Sequence, residues 1–148
     1  MCFILATMVI IWQYRKELKM NAILHKWIDE QSLAYAEDKM ERIIVPDVGK
    51  GKEGVLNGLN AVFYLNRGTD RMVVEVMQPN RLVTDRGVGT EYCCTWNREH
   101  PIGDVLFTDD EGTHLVWRRI LPSEYSAEDL DDAVEEASSA LEVSQILV

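Results

Sequence analysis

The chain has 148 residues, 47% hydrophobic and 27% charged, an ordinary make-up for one globular domain with a sizeable core. Its formal net charge of −10 opposes nonspecific binding to nucleic acid or to an anionic membrane surface. Three cysteines, Cys2 and the adjacent Cys93 and Cys94, make no disulfide framework and point to a reducing, cytoplasmic setting.

Residues 1–12 are almost wholly apolar, and Arg15, Lys16 and Lys19 follow the run. A secretory signal places its charges before the apolar stretch, and a spanning helix needs about 20 apolar residues. No stable membrane insertion is expected. Residues 1–19 read as an apolar N-terminal extension: a helix packing on the domain or on a second copy, or a stretch ahead of a true start at Met20. Residues 20–148 read as one domain.

The spacing of Leu24, Trp27, Ile28, Gln31 and Tyr35 predicts an amphipathic helix over Asn21 to Ala36, with Lys26, Asp29 and Glu30 turned outward. Trp27 reads as a core anchor against a sheet. Ile43-Ile44-Val45 is β-like and Pro46 ends it. Gly49-Lys50-Gly51-Lys52-Glu53-Gly54 matches a phosphate-cradling glycine pattern, which has force only where a helix opens after it. Val55 to Asn60 is a poor helix opener, so a flexible hairpin loop is the plainer reading and nucleotide or small-ligand binding the alternative.

Ala61 to Leu65 and Met72 to Met77 predict two strands joined by a turn, with Gly68 supplying a positive φ. In the second strand only Glu75 is polar, which predicts a central strand covered on both faces. Asn80 to Gly89 reads as a connection, and Thr90 to Arg98 as a short helix with Thr90 as its N-cap. Asp104 to Thr108 and Thr113 to Ile120 read as a hairpin, closed by Asp109-Asp110-Glu111-Gly112 with Gly112 at positive φ. Val105 and Phe107 share one face; on the partner strand Leu115, Trp117 and Arg119 do so. Trp117 reads as core, its indole N–H finding a partner or the rim. Ser126-Ala127-Glu128-Asp129 opens a last helix, continued by Leu130, Val134, Ala137 and Leu141. From Ser123 onward there are eight acidic residues and no Lys or Arg. Those at the helix start complement its dipole, and the rest read as a solvated face.

Asn97-Arg98 at a helix end, Ile102-Gly103, two strands about an Asp-rich Gly turn, Leu121-Pro122 and a closing helix together resemble the bacterial sensory transduction regulators of the YbjN type. That family is similar in fold to type III secretion chaperones. The resemblance covers the last third of the chain. It implies an order of helix, three strands, helix, two strands, helix, with self-association and protein binding. It transfers no catalytic residues. The apolar start and the loop at 49–54 depart from it.

Chemistry is sparse. Adjacent Cys93 and Cys94 point about 100° apart on a helix, and His25, His100 and His114 supply no zinc-ligand spacing. A nucleophilic cysteine would have only His100 or His114 as a base. Counting back from Gly112 puts Phe107 where a calcium loop needs its first acid. Arg81, Arg86, Arg118 and Arg119 form an anion patch only if the fold gathers them.

The expectation is an α+β domain: an antiparallel sheet of about five strands packed by an N-terminal helix, a short middle helix and an acidic C-terminal helix. Its expected role is a non-enzymatic interaction module, chaperone-like or regulatory, homodimeric and binding a further protein, with no cofactor, metal or nucleic acid. Residues 1–18 and the face of the first helix are the expected contact surface, with Leu24, Trp27, Ile28, Trp96 and Trp117 as the interaction residues.

Overall fold

The computed structural model describes residues 21–100 and 103–143, so expectations for residues 1–20 lie outside the described residues. It is an α+β domain. Helix α1 covers 21–30. Strands β1 (Ala36–Glu37), β2 (Ile43–Val45), β3 (Asn60–Asn66) and β4 (Arg71–Met77) follow, then helix α2 (Arg86–Glu99), strands β5 (Asp104–Thr108) and β6 (Leu115–Ile120), and helix α3 (Ala127–Leu141). The strands form one six-stranded sheet in the order β1-β2-β3-β4-β6-β5, antiparallel throughout.

The sixth strand is β1. Two residues are too short to show alternation, and the turn after them is held by a side chain. Asp38 Oδ1 accepts from the backbone N–H groups of Met40 and Arg42, and its Oδ2 accepts from Arg42 Nε at 2.7 Å. Helix α1 stops short of Ala36 because Ser32 takes a left-handed φ of 53°. The Leu33 N–H then reaches the Ile28 carbonyl and the Ser32 N–H the Asp29 carbonyl, a Schellman C-cap with serine where glycine is usual.

Register fixes which side of the sheet is covered. Ile43 pairs with Phe63, Phe63 with Val74, Val76 with Trp117, and Trp117 with Leu106. These residues share one face. They form one buried cluster with Leu24, Trp27 and Ile28 of α1, Cys93 and Trp96 of α2, and Leu130, Val134, Ala137 and Leu141 of α3. All three helices therefore lie on that face. Trp27 meets Phe63 edge to face at 6.2 Å.

Polar locks position the helices. Asp131 Oδ1 on α3 accepts from Trp27 Nε1 at 3.0 Å, Gln31 Nε2 at 3.3 Å and Lys52 Nζ at 2.6 Å. One carboxylate thus joins α1, the 46–59 connection and α3, and these donors outweigh burial to lower its pKa. Asn97 on α2 donates to the Leu106 carbonyl and accepts from the Leu106 N–H, both at 2.8 Å. It thereby occupies the outward backbone groups in the middle of edge strand β5.

Helix α2 begins four residues earlier than Thr90. Asp85 is its N-cap, accepting from the Val88 N–H, while the Thr90 hydroxyl donates back to the Arg86 carbonyl. Gly87 and Gly89 argued against a helix from the sequence. Gly89 is required by packing, since a Cβ there would lie 2.7 Å from Val83 Cγ1. In the β3–β4 turn the left-handed residue is Asp70 (φ 52°), in place of Gly68. At α3 the Asp129 carboxylate accepts from the Ser126 N–H at 2.8 Å, as the opening sequence predicts. Gly112 has a φ of +71°.

The β5–β6 turn is built around Asp109. Its carboxylate accepts from the Thr113 N–H and hydroxyl, at 2.7 and 2.8 Å, and from the His114 N–H, and lies 3.0 Å from His114 Nδ1. Burial opposes its charge, but these bonds outweigh burial and hold the carboxyl down to about 2. A carboxylate whose folded pKa is depressed stabilises the fold above its unfolded pKa of about 3.9 and loses that contribution as pH falls through the folded value. Asp109→Asn is therefore expected to be less stable than wild type at pH 6, with the difference shrinking between pH 4 and pH 2. Urea melts across that range check it, and a difference that is flat with pH contradicts it. Asn97→Ala strands two backbone groups of Leu106 and is expected to cost about 1–3 kcal/mol in the same melts. A cost under about 0.5 kcal/mol, the level of an ordinary surface substitution, would show that water replaces the amide.

Candidate functional site

Residues of the opposite sheet face alternate with those of the core. Three rows run across it: Ile44, Val62, Glu75, Arg118, Val105; then Tyr64, Val73, Ile120; then Asn60, Met77, Val116, Phe107. None of them belongs to the helix-packed cluster, although Val73 and Val116 are only 2% and 8% exposed. Val105 and Ile120, at 38% and 44%, are among the exposed large apolar residues. Among the described residues no helix or strand packs on this face. Strand β4 is central, as its composition predicts, and its second side is also largely out of solvent, with Val73 buried and Glu75 and Met77 half-buried, although no described helix or strand packs there.

The polar groups of the face are paired within it. The Tyr64 hydroxyl donates to Glu75 Oε1 at 2.9 Å, and burial and that carboxylate raise the phenol pKa. Glu75 lies opposite Arg118, whose guanidinium sits 5.2 Å from the centre of the Phe107 ring. The face is thus apolar with a single charged row through its middle.

The five residues expected to contact a partner, Leu24, Trp27, Ile28, Trp96 and Trp117, are 0 to 8% exposed and lie in the interior. Their surface is already used within the chain. The apolar face of α1, expected to meet a partner, is turned onto the sheet. The Trp117 indole N–H has no hydrogen-bond partner among the described residues, so the expected partner is not found there.

The Gly/Lys loop is part of the long β2–β3 connection and is docked on α3, in contrast to the flexible hairpin loop expected. Lys52 is bonded to Asp131, and the Leu56 N–H donates to the buried Ser138 hydroxyl at 2.8 Å. Its glycines answer to backbone shape: a Cβ on Gly49 would lie 2.2 Å from Val55 Cγ1, and Gly51 and Gly54 both have φ of +78°. Turns and then β3 follow Gly54, so no helix opens directly after the loop.

The arginines do not gather. Arg118 and Arg119 project to opposite faces as successive strand residues. Arg119 is held by Asp104 at 2.6 and 2.7 Å and by Asp132 at 2.9 Å. The Arg86 stem packs on Gly112. Among the described residues no three His, Cys, Asp or Glu side chains are placed to hold a metal ion. A recess of about 1080 Å³ beside the β1–β2 hairpin is lined by residues including His25, Arg42, Tyr64, Arg67 and Glu75, of both charge signs. Among the described residues no helix is long and apolar enough to cross a membrane.

The cysteines differ sharply. Cys94 is exposed, and Cys93 is buried against the core, with burial pushing its thiol up to about 11. His100 stacks on Trp96, and its Nδ1 lies 2.9 Å from the Trp96 carbonyl. In native protein, maleimide labelling mapped by mass spectrometry is expected at Cys94, with Cys93 at least about tenfold slower. Equal rates would mean that α2 opens readily or that Cys93 is an activated thiolate.

No family model matches the chain, and no curated protein or solved structure matches it. What distinguishes this domain is therefore its own geometry, a sheet with three helices on one side and an apolar, internally neutralised surface on the other.

Proposed function

We propose that the chain is a non-enzymatic protein-interaction module, chaperone-like or regulatory, that acts as a homodimer and binds a further protein. The observation that carries this reading is the apolar sheet face left without a described element on it. Val105 and Ile120 are exposed on it, and exposed apolar side chains grouped on one surface are a common mark of contact sites. The adjacent free thiols of Cys93 and Cys94 support a reducing compartment, the cytoplasm. The order of helix, strands, helix, two strands, helix supports the resemblance to the YbjN-type regulators, with β1 as an addition to the expected three first strands. The acidic residues of α3 give solubility and steer a basic partner.

The alternative, a small-ligand site at 49–54, has less support, because Lys52 is engaged with Asp131 and the loop glycines are explained by turns and close packing. Light scattering of the full chain at tens of micromolar is expected to give about twice the 16.9 kDa of one chain. A strict monomer under those conditions contradicts the homodimer.

A further inference from the structure

We infer that Asn57 is a site of spontaneous covalent modification: its side-chain amide is lost through attack by the Gly58 backbone nitrogen, and water completes the conversion to aspartate or isoaspartate. The reaction needs an accessible amide carbon, a following backbone nitrogen that is not engaged elsewhere, and room for that nitrogen to approach. Asn57-Gly58 is the chain's Asn-Gly pair; Asn21, Asn60, Asn66, Asn80 and Asn97 each precede Ala or Arg. Glycine has no Cβ to crowd the approach, and its backbone turns freely enough to make it.

The fold leaves this pair open. Asn57 is exposed in the turn between the docked Gly/Lys loop and β3. Gly58 has a φ of +76°, and the nearest atom to a Cβ built on it would be Asn80 Nδ2, 3.9 Å away. Among the described residues the Gly58 N–H donates to no acceptor. The other asparagines are restrained. The Arg81 N–H that follows Asn80 donates to the Gln78 carbonyl at 3.1 Å. Asn66 Oδ1 accepts from the Gly68 N–H at 3.1 Å. Asn97 has both polar side-chain atoms on Leu106. Asn60 precedes the fully buried Ala61 inside β3, and Asn21 lies in α1.

The step balances with water alone. Base takes the Gly58 N–H proton, and the nitrogen attacks Asn57 Cγ. A Cγ–N bond forms, the bond from Cγ to the side-chain nitrogen breaks, and ammonia leaves with a proton. Water then opens the imide at either carbonyl. One opening gives aspartate with the backbone unchanged. The other gives isoaspartate, in which the main chain runs through the former side chain and gains a methylene. Either product adds a negative charge to a chain that already carries −10.

The two products differ in what they do to the fold. The Asn57 carbonyl accepts from Gln78 Nε2 at 2.9 Å, and the adjacent Leu56 N–H is held by Ser138 of α3. Isoaspartate turns that carbonyl into part of a free carboxylate and lengthens the chain beside the Ser138 contact. It therefore loosens the β2–β3 connection from β4 and α3, whereas aspartate leaves both contacts in place.

The test incubates the full chain at pH 8 and 37 °C, native and in urea, and follows amide-to-acid conversion at each asparagine by peptide mass spectrometry. Conversion at Asn57 is expected to outpace that at every other asparagine by about tenfold or more, and its native rate to stay within about tenfold of the rate in urea. Another asparagine converting as fast, or a native rate further below the unfolded one, overturns the inference. Asn57→Gln, which could close only a six-membered ring, is expected to abolish conversion at this position; acid formed there at the wild-type rate would mean that a different reaction is at work and overturns it too. The isoaspartyl form, separated by ion exchange, is expected to melt about 2 °C or more below wild type, and Asn57→Asp to melt with wild type. An isoaspartyl form that melts with wild type overturns the loosening.

Discussion

Everything in this domain follows from one-sided coverage of an antiparallel sheet. Three helices are enough to bury one face of six strands, and they all take the same face. A half-covered sheet is usual where the outer residues are polar. Here they include Ile44, Val62, Val73, Met77, Val105, Phe107, Val116 and Ile120, so the second face has much of the composition of an interior, and Val73 and Val116 are buried on it. The charged row at Glu75 and Arg118 limits how such a surface can be used. It raises the cost of contact with a purely apolar partner and favours one that offers the opposite charges in register.

The core side is fastened by few polar groups, each joining distant parts of the chain. Asp131 ties Trp27 of the first helix, Gln31 just past its end and Lys52 of the long β2–β3 connection to the last helix. Ser138 receives the same connection through Leu56. Asn97 fastens the middle helix to the edge strand, and in doing so occupies both backbone groups of Leu106 at its centre.

Much of this architecture was legible because local chemistry and tertiary packing agree. The β5–β6 hairpin is announced by Gly112 and strand alternation, and the last helix by Ser126 and Asp129. The rest depended on partners distant in sequence. Helix α2 could not be bounded while Gly87 and Gly89 counted as breakers, since only the approach of Val83 shows why Gly89 is there. Strand β1 is too short to carry a period. The five residues expected to meet a partner proved to be interior ones for a related reason. Large apolar residues at helical spacing signal burial without saying against what, and Trp27 and Trp117 are buried within their own chain. The better signal lay in β4, where Met72, Val74 and Val76 share the strand with Val73 and Met77. That run reads as a strand covered twice. Burial agrees on both sides: Met72, Val74 and Val76 lie in the helix-packed core, and on the other side Val73 is buried and Met77 half-buried.

The central claim is that the sheet face opposite the helices is where this protein meets other chains. Carbene footprinting of the full chain over a concentration series tests it most directly, because it reads each side chain in the intact protein. Labelling of Val105, Phe107 and Ile120 is expected to fall together as concentration rises through the association range, while Leu82 and Val88 stay constant. Labelling of the face that is unchanged with concentration, or protection that develops at Leu82 and Val88 instead, would contradict it.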